Sequence, residues 1–431
     1  MKKRKLIIIS NDSLVQEDLL YLATKPGFRQ LMEQGCIVPL KSVYPTITYC
    51  CHAAMITGCY PNKTGIYANR TSEFGSKDYN WERKNIKVKT LIDCAKENGY
   101  TTANVWWPVM ANDPNIDWNV PEIWSTDLEK ETYLEAQARG GASEDTIRDI
   151  IEPNNFFTKV HQRSHPWCEL HQFTCARDLL MKKNPDMLIV HPGGIDGYRH
   201  KYGVFHPEVT RALDYTYYWI DEIVRTLQEM GEWENTDLIL TSDHGHIDVK
   251  RRLHINTLLE KLGFITRNET GKVTERKAHG ITVGAAAAIY VDDGKQETYD
   301  ALHKALQDCV KEGIYGISRC YTRQEADEEE HLSGDFDFFL EGDDTVMVLE
   351  SFRDTIFTPF EPNNPNGVRG NHGYHPDKGP QPVMLMVGPD FKKGLQLPRR
   401  STLDMAATIC RIFGWDLPDM DGTVIEEVLN V

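Results

Sequence analysis

Aspartate and histidine residues at metal-binding spacings occur in three parts of this sequence. Asp12, Asp196 and Asp243 each follow closely on a short apolar run. Asp196 and His200 are four residues apart, so one helical turn would put both side chains on one face. Asp243 and His244 are adjacent, and both could bind one ion if the chain turns there. Three gathered acids repel one another unless positive charge lies between them. Because imidazole and carboxylate together suit Zn²⁺, the pattern predicts a zinc site, with Mn²⁺ or another divalent metal as the alternative.

A third histidine, His372, lies close to two glycines in the segment Gly370–Tyr374. Each of these residues alone has an ordinary explanation, since an aspartate after a strand often caps a helix and a lone histidine is usually structural. Three acids and three histidines that are predicted to lie near the ends of strands favour a metal site over these ordinary explanations.

Thr48 is the candidate nucleophile. The run Ala53–Thr57 indicates a helix, so Thr48 would lie near a helix N-terminus, where backbone N–H groups favour an anion. A threonine hydroxyl is a poor nucleophile until a metal lowers its pKa. The alternative is that Thr46 or Thr48 merely caps this helix.

The adjacent Cys50 and Cys51 offer a different nucleophile. A catalytic cysteine requires a lowered pKa, for which the neighbouring His52 is the only local candidate. The sequence favours a structural or substrate-lining role for both cysteines.

The elements that must position these residues follow an alternating pattern. Short apolar runs alternate with helical patterns, which predicts an α/β fold with a mainly parallel sheet. In such sheets ligands bind beyond the carboxyl ends of the strands, where the three acids lie. The predicted strands are Leu6–Ser10, Ala103–Trp107, Met187–Val190, Leu238–Leu240 and Val383–Val387. The predicted helices are Val88–Asn98, Cys168–Lys183, Pro207–Met230, Ile255–Leu262 and Leu403–Phe413.

Residues 266–351 show a different pattern, with strand-like runs on either side of one helix. They predict a small α+β insert within a core formed by residues 1–265 and 352–431. The acidic stretch Glu325–Glu330 is expected to be solvated surface. The insert is also a candidate cap over the site.

Composition narrows the function further. The 431 residues are 40% hydrophobic, which excludes a disordered or fibrous chain. The net charge of -16 disfavours duplex nucleic acid and anionic membranes as partners. A small phosphate ester still fits as substrate if metals supply positive charge. No apolar run is long enough for a membrane span. The apolar run near the N-terminus is too short for a signal peptide, and the ten cysteines are scattered, so we expect a cytoplasmic protein with reduced thiols. No pattern specifies an oligomeric state.

Taken together, these segments resemble the nucleotide pyrophosphatase/phosphodiesterase branch of the alkaline phosphatase superfamily, from Ile7 to about Gly414. The resemblance implies a three-layer α/β/α sandwich with two zinc ions. It is carried by the segments Ser10–Asp12, Tyr44–Thr48, Thr57–Pro61, Asp196–His200, Thr241–Gly245 and Gly370–Tyr374. One implied zinc is held by Asp196, His200 and His372, and the other by Asp12, Asp243 and His244. Thr48 matches the nucleophilic threonine, which implies a covalent phospho-threonine intermediate.

One departure concerns the substrate. Where nucleotide-hydrolysing members carry an asparagine that contacts phosphate, this chain has Cys51, and a thiol is a much weaker donor than an amide. Tyr49 and Trp107 are candidates for an aromatic wall around a flat group, or for ordinary packing. We therefore expect a hydrolase of small phosphodiesters or pyrophosphates. The alternatives are a phosphomonoesterase or phosphonate hydrolase of the same superfamily, and a non-catalytic binding protein.

Overall fold

The structure, a computed structural model, describes residues 3–157, 161–360 and 367–430. Its strands are β1 (Lys5–Ser10), β2 (Cys36–Lys41), β3 (Thr102–Val105), β4 (Trp118–Val120), β5 (Met187–Val190), β6 (Thr236–Thr241), β7 (Ile247–Asp248), β8 (Arg251–His254), β9 (Ile265–Arg267), β10 (Val273–Arg276), β11 (Ala278–Val283), β12 (Ala286–Val291), β13 (Ile317–Thr322), β14 (Phe338–Gly342), β15 (Val346–Leu349), β16 (Phe357–Pro359), β17 (Gly370–Asn371), β18 (Val383–Val387), β19 (Leu395–Gln396) and β20 (Arg400–Ser401). Its α-helices are α1 (Leu19–Leu22), α2 (Pro26–Gln34), α3 (Thr48–Thr57), α4 (Pro61–Thr64), α5 (Leu91–Glu97), α6 (Tyr133–Arg139), α7 (Glu144–Thr146), α8 (Trp167–Lys183), α9 (Gly194–Tyr202), α10 (Pro207–Glu229), α11 (Ile255–Lys261), α12 (Gln296–Glu312), α13 (Arg323–Glu330) and α14 (Asp404–Phe413).

The central sheet has the strand order β19-β2-β18-β6-β1-β5-β3-β4, and β20 also pairs with β2. The strand β1 pairs in parallel with both β5 and β6, whereas β18 runs antiparallel to β6 and β2. The apolar runs that predicted parallel strands therefore form a mainly parallel sheet, as expected.

Helices cover both faces of this sheet. Along β1, Leu6 and Ile8 belong to one apolar cluster and Ile7 and Ile9 to another, because successive strand residues point to opposite faces. The first cluster includes residues of α3, α5 and α14, and the second includes residues of α2, α8 and α10. The expected three-layer α/β/α sandwich is confirmed. Among the described helices, none combines the length and the apolar composition needed to cross a bilayer.

A second, antiparallel sheet has the order β11-β12-β14-β13. One face packs against α11 and α12, where Leu302 and Leu306 are fully buried. On the other face, Val283 and Phe339 share an apolar cluster with Tyr44, close to the candidate nucleophile. The strand β8 pairs with both β15 and β16, so the packing around the insert continues beyond residues 266–351 on both sides. The insert thus supports the nucleophile segment from outside the central sheet.

Candidate active site

The three predicted acidic ligands converge at one edge of the central sheet. Asp12 lies two residues beyond β1, Asp243 two residues beyond β6, and Asp196 in the first turn of α9, which follows β5. Because β1 lies between β6 and β5, the carboxyl ends of these three parallel strands are neighbours.

The first cluster of possible metal ligands comprises Asp196, His200, His246 and His372. His200 Nε2 lies 3.3 Å from Asp196 Oδ1, and His372 Nε2 lies 3.7 Å from the same oxygen. The expected helical turn is present, since Asp196 and His200 both lie on α9. The sequence patterns did not single out His246, although it follows the predicted ligand His244 by two residues.

The second cluster comprises Asp12, Asp243 and His244. His244 Nε2 lies 3.4 Å from Asp12 Oδ1 and 3.1 Å from Asp243 Oδ2. The two clusters touch, because the imidazole rings of His244 and His372 stack with centroids 3.8 Å apart. A third group, His52, His191 and Asp243, shares Asp243 with the second cluster.

Buried polar atoms without partners test whether these residues fit a cation. Asp12 Oδ1, Asp196 Oδ1 and Asp243 Oδ2 are buried and accept no hydrogen bond. Burial, together with the neighbouring Asp196 and Asp243 carboxylates, raises the pKa of Asp12 well above its usual range. Burial also lowers the pKa of His244 and His372, which keeps both imidazoles neutral. Unpartnered buried carboxylates beside neutral imidazoles form a donor set that fits divalent metal ions.

Thr48 is the first residue of α3, and its Oγ1 lies 3.2 Å from His244 Nε2. The residue that caps α3 is Ile47, and no side chain makes a capping hydrogen bond there. Thr46 Oγ1 instead donates to the Tyr374 carbonyl at 2.7 Å. The alternative that either threonine merely caps the helix is therefore wrong.

Cys51 does not reach the space beside Thr48, contrary to the expectation from the sequence. Its side chain is fully buried, and its Sγ lies 3.2 Å from Ser42 Oγ. On α3 it is three residues beyond Thr48 and is turned into the apolar cluster shared with the insert. Burial raises the pKa of both Cys50 and Cys51, which disfavours a thiolate nucleophile.

Trp107 likewise does not line the space beside Thr48. It is fully buried, belongs to the apolar cluster under the central sheet, and meets the His52 ring edge-on at 4.9 Å. The expectation that it contacts substrate is corrected, because its ring packs in the core. Tyr49 does lie in the wall, with its ring centroid 5.8 Å from that of Tyr79.

A cavity of about 230 Å³ opens over Thr48 and both clusters. Besides predicted residues, it is lined by Asn69, Arg70, Tyr79, Glu122 and Arg163, and by Thr282, Gly284 and Met347 of the insert. Asn69 Oδ1 accepts a hydrogen bond from the Tyr49 amide at 2.9 Å, which leaves the Asn69 amide NH₂ free to donate. No local spacing in the sequence marks Asn69 or Arg163, because each reaches the cavity from a different loop.

Two arginines flank one aromatic ring in this wall. Arg70 Cζ lies 5.6 Å and Arg163 Cζ 6.0 Å from the centre of the Tyr79 ring. The carboxylic acid Glu122 lies beside them, and burial raises its pKa to about 8. The wall thus offers cationic and aromatic groups next to the proposed metal ligands.

Comparisons of the sequence with a family model and with known proteins find similarity to one family. A family model described as type I phosphodiesterase / nucleotide pyrophosphatase matches residues 6–375. The human bis(5'-adenosyl)-triphosphatase ENPP4 is 22% identical over 426 residues, covering 97% of this chain and 80% of the relative. Human ectonucleotide pyrophosphatase/phosphodiesterase family member 5 is 21% identical over 443 residues, covering 99% and 78%.

Solved structures share the fold. Murine ectonucleotide pyrophosphatase/phosphodiesterase 5 matches with a TM-score of 0.68 at 20% identity, covering 99% of this chain and 100% of that chain. An inactive variant of the same murine protein, in complex with AMP, matches with a TM-score of 0.68 at 19% identity, with the same coverage.

Proposed function

The chain belongs to the type I phosphodiesterase / nucleotide pyrophosphatase family and is a hydrolase of that type, and from this premise we propose that it cleaves phosphodiester or pyrophosphate bonds of small nucleotide-like molecules through Thr48. The observation that carries the proposal is the position of the Thr48 hydroxyl. It lies at the N-terminus of α3, 3.2 Å from His244 Nε2, and faces a cavity shared by both ligand clusters.

The family is metal-dependent, and we propose two zinc ions for this site. Asp196, His200 and His372 would hold one ion, and Asp12, Asp243 and His244 the other. Bound divalent ions would lower the pKa of the threonine hydroxyl and offset negative charge on the phosphoryl group during transfer.

The chain's own residues account for the two chemical steps. Thr48 Oγ1 attacks phosphorus, its proton passes to the leaving oxygen or to water, and the bond from phosphorus to the leaving oxygen breaks, which forms a phospho-threonine. Water then attacks the same phosphorus, and Thr48 leaves with a proton restored. The N–H groups at the start of α3 and the amide of Asn69 would stabilise charge on the phosphoryl oxygens.

The cavity wall supports a nucleotide-like substrate. Tyr79 is partly exposed and offers an aromatic face for a flat base, and the buried ring of Tyr49 packs beside it. Arg70 and Arg163 offer guanidinium groups for a second phosphate. The names of the relatives agree with this class, since one is named a bis(5'-adenosyl)-triphosphatase and an inactive variant of a murine relative is in complex with AMP.

A panel of substrates on zinc-loaded protein tests the proposed substrate class. It compares a dinucleoside polyphosphate, a nucleotide sugar, a lipid head-group diester, a bis-aryl phosphate, a phosphonate and an aryl monophosphate. We expect the highest kcat/KM for the dinucleoside polyphosphate or the nucleotide sugar. A strong preference for the monophosphate or the phosphonate would contradict the proposal in favour of the related activities of the superfamily.

Replacement of the nucleophile tests the mechanism. Thr48→Ala is expected to lower kcat/KM by about 10³-fold or more, because no other hydroxyl occupies this position. Zinc content, measured by elemental analysis, should stay at the wild-type level, since Thr48 is not among the proposed ligands. Near-normal turnover by this variant would rule out the covalent route.

A further inference from the structure

Three imidazoles converge on one carboxylate oxygen in the first cluster. His246 Nε2 lies 3.2 Å from Asp196 Oδ1, which is closer than His200 Nε2 at 3.3 Å or His372 Nε2 at 3.7 Å. Zinc bonds of about 2.0–2.1 Å in a tetrahedron place neighbouring ligand atoms about 3.3 Å apart. The distances from Asp196 Oδ1 are therefore close to the edges of a tetrahedral zinc site.

The three rings are arranged almost evenly. The ring centroids of His200 and His246 are 4.6 Å apart, those of His246 and His372 5.0 Å, and those of His200 and His372 5.1 Å. The ligand atoms of these three histidines and of Asp196 all lie within 4.8 Å of one another, so a single ion could contact all four residues.

The Nδ1 atom of each of the three rings lies within hydrogen-bond distance of an oxygen atom. His200 Nδ1 donates to the Gly370 carbonyl at 2.8 Å, and His372 Nδ1 donates to the Thr46 carbonyl at 3.1 Å. His246 Nδ1 lies 2.7 Å from Ser13 Oγ, which can accept its proton. A metal-binding histidine typically donates its second N–H to such a partner, and this leaves the Nε2 lone pair free.

Two inner atoms of this cluster lack hydrogen-bond partners. His246 Nε2 and Asp196 Oδ1 are both buried and have no hydrogen-bond partner, although they lie 3.2 Å apart. A donor–acceptor pair at that distance would normally be hydrogen-bonded, so their geometry suits two ligands of one ion better than a direct contact.

We propose that His246 is a fourth ligand, so that Asp196, His200, His246 and His372 form a closed tetrahedral site. Among the residues that the structure describes, the second cluster comprises Asp12, Asp243 and His244, and its remaining side faces Thr48. Structural zinc sites have four protein ligands, whereas catalytic sites keep an open position. The two ions are therefore chemically unequal, and the open site is the one adjacent to the nucleophile. This inference rests on the metal sites of the proposed function but not on the proposed reaction.

Ser13 connects the two sites. Its Oγ lies 2.7 Å from His246 Nδ1, and its backbone N–H donates to Asp243 Oδ1 at 3.1 Å. Ser13→Ala removes only the hydroxyl, so it should weaken zinc binding at the first cluster by about 10–100-fold, as the loss of an outer partner does.

A crystal structure of zinc-loaded wild-type protein, with anomalous scattering at the zinc edge, tests the proposal without any variant. We expect His246 Nε2 at about 2.0–2.1 Å from the ion held by Asp196. The proposal is overturned if His246 Nε2 lies too far from the ion to bind it and water or no atom is the fourth ligand. It is also overturned if no zinc is found at this cluster.

Zinc titration of the metal-free protein against a chromogenic chelator gives a second readout in solution. His246→Gln should weaken one of two zinc sites by more than about 100-fold, because a direct ligand contributes more than an outer partner. The matched control is His254→Gln, because His254 is also buried but bonds to Ser351 and Thr358 away from the cavity. The control should bind zinc like the wild type. Equal zinc affinities in all three proteins overturn the proposal. Turnover plays no part in either readout, so a wrong substrate class or reaction would leave both results unchanged.

Discussion

Thr46 and Thr48 are two residues apart, yet their hydroxyl groups have different surroundings. Thr46 Oγ1 donates to the Tyr374 carbonyl, and its own carbonyl accepts from His372 Nδ1, so Thr46 ties the nucleophile segment to a proposed ligand. Thr48 Oγ1 has only His244 Nε2 at 3.2 Å and the cavity before it. The first hydroxyl holds structure together, and the second remains free to react.

Substitutions of Asn69 and Cys51 are expected to have opposite outcomes for kcat. Asn69→Ala is expected to lower kcat by about 10²–10³-fold, because its amide is the free donor in the cavity wall. Cys51→Ala should leave kcat close to the wild-type value, because Sγ is directed toward Ser42. Steady-state kinetics on one diester substrate checks both. A larger loss from Cys51→Ala than from Asn69→Ala would refute the placement of the phosphate beside Asn69.

At the scale of elements, the insert docks on the His372 loop by backbone contact. Ala285 N donates to the His372 carbonyl at 2.8 Å, and a Cβ added to Gly284 would lie 2.1 Å from that same oxygen. Gly284 also has a φ of +72°, in the left-handed region that glycine adopts without strain.

Gly284→Ala is therefore expected to destabilise the protein and to displace His372, which weakens zinc binding. The control is Gly294→Ala, since Gly294 has a φ of +63° but no atom within 4 Å of an added Cβ. Backbone strain alone costs about 1–2 kcal/mol, and only Gly284→Ala adds the clash. Urea unfolding and zinc titration measure the two effects. Equal losses in both variants would show that the close contact has no role.

The helix α9 is held by a buried ion pair. Arg199 Nη2 donates to both carboxylate oxygens of Asp18, at 2.7 and 2.6 Å, and the Arg199 side chain is fully buried. Since α9 also carries Asp196 and His200, this pair anchors two proposed ligands to the segment that follows Asp12.

Arg199→Met is expected to cost about 3–5 kcal/mol of unfolding free energy, because it leaves the Asp18 carboxylate buried and unpaired. The control Arg211→Met breaks an exposed pair with Glu208 and should have a much smaller effect, because exposed ion pairs contribute little to stability. Urea unfolding measures both. A cost for Arg199→Met no larger than for the control would mean that the buried pair contributes nothing net.

Strands that the sequence patterns did not single out also matter at this scale. The strand β2 lies between β18 and β19 although it contains Pro39, a residue that usually marks an edge or a break. The strands β11 and β13 pair with β12 and β14, respectively. In each case the partner strand, not the local sequence, determines the conformation.

At the scale of the whole molecule, the net charge of -16 coexists with a cavity for which we propose an anionic substrate. Three of the acids are gathered as proposed metal ligands, and Arg70 and Arg163 add two positive charges to the wall. The surface charge still disfavours polyanions such as duplex nucleic acid. A small phosphate ester is therefore the class of substrate that both the surface and the cavity support.

Global stability should depend on pH through Asp237, at the base of the central sheet. Burial, together with the neighbouring Asp390 carboxylate, raises the pKa of Asp237 to about 8. An unfolded aspartate titrates near a pKa of about 3.9, so the folded state binds the extra proton between these values. This contribution to stability is complete below about pH 4 and is lost as the pH rises through 8.

Asp237→Asn cannot ionise, so it should gain stability relative to the wild type as the pH rises from 5 to 9, by on the order of 1–3 kcal/mol. Urea unfolding at several pH values, with zinc present throughout, measures the difference. Parallel pH profiles for the two proteins would contradict the assignment to Asp237.

The sequence by itself determined the α/β class, the strands that precede the three acids, and the helical turn that carries Asp196 and His200. These depend on local hydrophobic periodicity and on spacing within one element. Only the tertiary structure decided that Cys51 and Trp107 face the core, that Asn69 and Arg163 face the cavity, and that His246 joins the first cluster. Those outcomes depend on contacts between segments far apart in the chain, which no local pattern records, because the direction of a side chain is set by the elements packed around it.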